Sequence, residues 1–153
     1  MIRVSDDEID APEALGVFEH EMQNAGAIVS FTGQVRPQSS AGEVSTLFLQ
    51  AYSPMTENGI QSALSEALRR WPLSGAHILH RTGEMRAGET IVFVATASKH
   101  RRAAFEAADF LMDYLKTEAV FWKKETTADG ATWIEPRQDD YTDAARWQTE
   151  KVD

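Results

Sequence analysis

Apolar residues at Leu15, Phe18 and Met22 recur at helical spacing behind Ala11-Pro12, which predicts a short amphipathic helix from 11 to about 22. Ala27–Thr32, β-branched and aromatic between Gly26 and Gly33, reads as a strand. Pro37 to Gly42 reads as a loop, and Val44 to Tyr52 as a second strand expected to pair with the first. Ser53-Pro54 offers an N-cap and a first-turn proline to a helix whose apolar face is Ile60, Leu64, Ala67, Leu68 and Trp71, ended by Pro72. Residues 76–81 and 90–97 predict two more strands joined by a Gly83–Glu89 connection, and Ile91–Ala95, apolar on both faces, belongs in the middle of a sheet. Ser98 is expected to cap a helix from about 99 to 117 with a core stripe of Phe105, Ala108, Met112 and Leu115. Val120–Glu125 and Ala131–Glu135 flank Asp129-Gly130, a hairpin signal. After Pro136 the chain is acidic and polar apart from Tyr141 and Trp147, so residues 138–153 read as a partly disordered tail.

Helices thus alternate with pairs of strands, and the expected fold class is α+β: a mainly antiparallel sheet with helices packed on it. At 153 residues, with no repeat and no linker, the chain is expected to be a single domain. It has no cysteine, which removes disulfides, thiolate metal sites and cysteine nucleophiles; any sulfur chemistry must use sulfur brought by another molecule. The start of the chain lacks the apolar run of a signal peptide, and no stretch is apolar for long enough to span a bilayer, so a cytoplasmic protein without membrane contact is expected. The net charge of −9 is uneven: residues 1–30 hold seven acids against one base, whereas 99–124 hold four acids and six bases. An acidic overall field argues against general nucleic-acid binding and leaves open a small anionic ligand in a local basic pocket.

Candidate chemistry narrows the choice. His77 and His80, three apart on a strand, point to opposite faces and read as structural or exposed, not as a shared metal site; no metal and no cofactor is expected. No glycine-rich phosphate loop and no Gly-x-Ser-x-Gly elbow is present. Ser98-Lys99-His100-Arg101-Arg102 places cations at a helix start, against the macrodipole, and reads as an anion site or as a solvated basic turn. Lys116 falls on the apolar stripe of the same helix, where it either lines a pocket or snorkels from the last turn. Lys123 and Lys124 alternate, so one of them faces Lys116. Arg101 and Lys116 are roughly 22 Å apart along a continuous helix, too far to share one small ligand, so either the two clusters serve different ligand ends or, the favoured reading, a two-fold homodimer brings one copy's His100-Arg101 to the other's lysines in a composite pocket.

Taken in order, Phe31-Thr32-Gly33-Gln34-Val35-Arg36, His80-Arg81-Thr82-Gly83-Glu84, Ser98-Lys99-His100-Arg101, Phe105-Glu106-Ala107, Met112–Thr117 and Phe121–Glu125 resemble the catalytic large subunit of molybdopterin synthase, over about Gly26 to Trp147. The resemblance implies an α/β hammerhead-type fold and a central homodimer within a heterotetramer, with a small ubiquitin-like sulfur-carrier subunit at each end. It implies transfer of sulfur from the carrier's C-terminal thiocarboxylate to cyclic pyranopterin monophosphate, forming the dithiolene of molybdopterin. By the same resemblance Lys116 and Lys123 are the catalytic pair, and Gln34, Val35, Arg36, His100, Arg101, Lys124, Glu125 and Arg137 bind substrate. The alternative is a non-catalytic module that binds a phosphorylated small molecule or a protein C-terminus with the same basic residues; a structural dimerisation domain would leave Lys116 unexplained.

Overall fold

The computed structural model describes residues 1–150. Its elements are β1 (Ile2–Ser5), α1 (Ala11–Glu21), β2 (Ala27–Gln34), β3 (Gln38–Ser39), β4 (Gly42–Ala51), α2 (Met55–Arg70), β5 (Leu73–Arg81), β6 (Gly83–Met85), β7 (Thr90–Ser98), α3 (Arg101–Thr117), β8 (Phe121–Thr127), β9 (Gly130–Ile134) and α4 (Gln138–Ala145), followed by a 3-10 turn over Arg146–Glu150. One sheet runs β1-β5-β7-β2 and the other β3-β4-β8-β9, with β6 added beside β4. All pairings are antiparallel except β1 with β5.

The continuous apolar run of β7 is covered on both sides. Val92 and Val94 face α2 and α3, packing with Ile60, Ala67, Ala107 and Leu111. The alternate residues Phe93, Ala95 and Ala97 face α1 and bury Phe18. Burial of a side chain such as Phe93 is worth about 2–3 kcal/mol, so β7 anchors both layers. A third cluster, Val35, Leu47, Leu49 and Met85 with Ile91 and Phe121 against it, joins the two sheets.

Several expectations are corrected. β2 does not pair with β4; it pairs with β7 from Ala27↔Ser98 to Gln34↔Thr90. The chain then leaves that sheet, because Val35 is tied by backbone bonds to residues 88 and 89 and Pro37 to Val44, so β4 enters the second sheet beside β8. The 37–42 loop contains the short strand β3, paired Gln38↔Glu43 and Ser39↔Gly42. Ser98 ends β7 and its hydroxyl donates to the Pro72 carbonyl, so His100 takes the N-cap position of α3 with no side-chain bond. Ser53 donates to the Glu57 carboxylate and leaves Pro54 at the cap of α2. Phe105 and Leu68 are 60% and 48% exposed. The buried stripe of α3 is Ala104, Ala107, Ala108, Leu111, Met112 and Leu115, one residue out of phase with Phe105. β1 was too short to show a pattern.

Of the tail expected to be partly disordered, the described part forms α4 and the 3-10 turn. The Arg137 amide donates to Asp140 Oδ2 at 2.9 Å and caps α4. Trp147 lies edge-on against Trp71 and Phe110, and its Nε1 donates to Asp113 Oδ2 at 2.6 Å. Arg146 pairs with Asp109 and Asp113. The rest of that tail, 151–153, lies outside the described residues.

Candidate active site

Where the two sheets meet, two adjoining lobes of about 210 and 280 Å³ form one cleft, and both are bounded by Gln34, Arg36, Lys116, Lys123, Glu125, Arg137 and Asp140. Each wall has a local cause. A Cβ on Gly33 would come within 2.7 Å of Val92 Cγ1 and 3.3 Å of Phe31, so only glycine lets β2 run this close to β7 before the register shifts between Gly33 and Gln34. That shift turns Gln34 and Arg36 into the cleft, while Val35 is buried in the cluster between the sheets. Lys116 follows buried Leu115 in the last turn of α3, where the helix dipole favours a cation. Strand alternation sets Phe121, Lys123 and Glu125 along the cleft, and sends Trp122 and Lys124 to the other face. Lys124 stands over its cross-strand neighbours there, 5.7 Å from the Phe48 ring and 5.5 Å from that of Trp133.

The electrostatics follow from this crowding. Lys123 is half-buried, and burial, reinforced by the positive charge of Lys116, lowers its pKa from 10.5 to about 8; Glu125 opposes the shift. Lys116 is exposed at the cleft, yet partial desolvation by the protein around it lowers its pKa, with Asp140 opposing and Arg36 and Arg137 assisting. Burial pushes the Asp140 carboxyl up, but hydrogen bonds from the Arg137 amide and guanidinium outweigh it and hold the group below its ordinary range.

His80 forms part of the floor. Its ring stacks on Phe121 with centroids 4.1 Å apart. Its Nδ1 lies 3.0 Å from the Arg81 carbonyl, an obligate acceptor, so that nitrogen carries the proton. Burial lowers its pKa to about 4, and Lys116 and Lys123 push in the same direction. His77 is on the opposite face, edge-on to Phe18 and 2.8 Å from Glu21 Oε2. The structural expectation holds for His77, whereas His80 also lines the cleft.

Of the sequence-predicted residues, the fold brings together Gln34, Val35, Arg36, Lys116, Lys123, Glu125 and Arg137. It leaves Lys124 on the far face and keeps His100 and Arg101, both exposed, at the opposite end of α3. Sequence reasoning missed His80 and Asp140. The signal for His80 was its shared strand face with buried Ile78; for Asp140 it was an acid three residues past a helix N-cap.

Four cations, Arg36, Lys116, Lys123 and Arg137, outnumber the three carboxylates that line the cleft, Glu125, Glu135 and Asp140, and leave a hollow of the class suited to a small anionic ligand. The MoaE protein family matches residues 4–118. The molybdopterin synthase catalytic subunit of Pseudomonas aeruginosa is 46% identical over 147 residues, covering 96% of this chain and 98% of its own. Among solved structures, a molybdopterin biosynthesis MoaE protein from Burkholderia ambifaria superposes with a TM-score of 0.82 at 40% identity, covering 98% of this chain and 99% of its own. A molybdopterin synthase from Staphylococcus aureus superposes with a TM-score of 0.77 at 28% identity, covering 86% and 95%. The chain belongs to the MoaE family, the catalytic subunits of molybdopterin synthase. Among the described residues, no three His, Asp or Glu side chains are grouped to hold a metal ion, and no helix is long and apolar enough to cross a membrane.

Proposed function

We propose that this chain transfers sulfur from the C-terminal thiocarboxylate of a small ubiquitin-like carrier to cyclic pyranopterin monophosphate, with Lys116 and Lys123 as the catalytic pair. The observation that carries the proposal is the convergence of these two lysines on one cleft, with the pKa of Lys123 lowered to about 8. Attack by a thiocarboxylate develops negative charge on the substrate, and opening of the cyclic phosphate develops more on the leaving oxygen. Fixed ammonium groups in the cleft stabilise both. A lysine near pKa 8 also releases and regains a proton at neutral pH, as general acid–base work requires. A module that only clamps a phosphate gains nothing from a weakened cation, which favours the catalytic reading.

Arg36 and Arg137 bind the anion, with Gln34, Val35 and Glu125 shaping the pocket around it. Lys124 acts outside the cleft, on the exposed aromatic face. His100 and Arg101 reach a cleft only from a second copy of the chain, so the active unit is a two-fold homodimer with one carrier at each end. The whole chain acts as one domain, and the absence of cysteine supports a cytoplasmic location.

The test is single-turnover sulfur transfer by Lys116→Ala with thiocarboxylated carrier. The rate falls by about 10²-fold or more, as for loss of one charge-stabilising donor, with an unchanged circular dichroism spectrum. A wild-type rate refutes the assignment, and a monomer in sedimentation at assay concentration refutes the composite pocket.

A further inference from the structure

Arg36 reaches the cleft from a segment that belongs to no strand, yet its main chain is held on both sides. The Val35 amide donates to the Glu89 carbonyl at 2.9 Å, the Gly88 amide donates to the Val35 carbonyl at 2.8 Å, and the Val44 amide donates to the Pro37 carbonyl at 2.9 Å. The clamp on Val35 is itself a tight turn between β6 and β7. Glu89 closes that turn: its amide donates to the Arg86 carbonyl, and its carboxylate accepts from the Arg86 amide. The same carboxylate accepts from Arg81 Nη1 at 3.1 Å. The Arg81 side chain is only 10% exposed, and its Nε has no hydrogen-bond partner among the described residues. Glu89 is therefore the sole described ion-pair partner of a buried cation, and Arg81 pins the carboxylate in place. Glu89 does not line the cleft.

We propose that Glu89 is a positioning residue for the substrate anion: pinned by Arg81, it holds the 86–89 turn that grips Val35 and so aims Arg36 into the cleft. This rests on the reading of the cleft given above. A guanidinium that meets a phosphate with two parallel bonds depends strongly on direction, so small displacements of its backbone weaken binding. The lysine pair stands on α3 and β8 and is untouched by the clamp. Loss of Glu89 therefore weakens substrate binding more than it slows the bound complex.

The experiment compares wild type, Glu89→Gln, Arg36→Lys and the double variant in steady-state sulfur transfer to cyclic pyranopterin monophosphate with thiocarboxylated carrier. Amide hydrogen exchange at Val35 and Gly88 is followed in parallel. Glu89→Gln raises KM about tenfold with kcat within about twofold, and the double variant is no worse than Arg36→Lys alone. Exchange at both amides accelerates. Unchanged KM in Glu89→Gln, or additive effects in the double variant, overturns the proposal, as does unchanged exchange. Arg81→Met, which unpins the carboxylate but keeps it, raises KM in the same direction and decides the matter if Glu89→Gln does not fold. Absence of turnover in the wild type, with faster exchange in Glu89→Gln, condemns the reading of the reaction and leaves the clamp standing.

Discussion

His80 makes the protein sensitive to mild acid, and the size of the effect can be worked out. In the folded chain its ring is wedged against Phe121 beneath two lysines, and its pKa falls from 6.5 to about 4. In the unfolded chain it titrates near its ordinary value. Between those two values the unfolded state binds a proton that the folded state refuses, so this contribution is fully present above about pH 6.5 and is lost as pH falls towards the folded pKa. At about 1.4 kcal/mol per unit, a gap of about 2.5 units is worth about 3 kcal/mol in full, of which about 2 kcal/mol is already lost at pH 5. The perturbation is His80→Gln, which keeps a polar side chain on the cleft floor and removes the titration. Urea unfolding at about pH 7.5, 6 and 5 measures it. Between the extremes wild type loses about 2 kcal/mol more than the variant. His77, whose pKa burial also lowers, remains in both proteins and cancels from the difference. Parallel stability curves for the two proteins refute the argument.

Two further outcomes follow from the site and its outer wall. Because the depressed pKa of Lys123 lies at about 8, sulfur transfer that needs its ammonium declines above about pH 8; kcat/KM flat up to about pH 10 would show that this proton is not used. Asp113→Ala unties Trp147 Nε1 from α3 and removes one of the carboxylates that hold Arg146, leaving Asp109, so stability falls by about 1–2 kcal/mol and amide exchange over 138–148 accelerates; unchanged protection of that segment contradicts the docking role of Asp113.

Local signals in the sequence translated directly into structure. Asp129-Gly130 turns the β8–β9 hairpin because glycine takes φ +114° there. The unbroken apolar run of β7 marks a strand covered on both faces, and the alternation of β8 separates Lys123 from Lys124. Non-local choices were hidden. Nothing near Ala27–Gln34 reveals that its partner is β7, because the decision rests on the fit of Gly33 against Val92, 59 positions away. The order of the acidic C-terminal segment depends on Trp147 finding Asp113 on α3 and Trp71 just past the end of α2. Within the cleft, Lys116 betrayed itself as a charge on an apolar stripe. His80 and Asp140 did not, because one lay in a spacing first weighed for metals and the other in a stretch with little apolar content.

The cleft is assembled from parts with unequal ties to the rest of the molecule. Its floor, His80 stacked on Phe121 and paired across the strands with Val92, belongs to the sheets themselves, so a substitution there costs stability. Its rim, Arg137 and Asp140, rides on a short helix with no buried residue, fastened to α3 chiefly through Arg146 and Trp147. Substitutions at the entrance therefore alter which molecules are admitted at less cost to the fold than substitutions in the foundation.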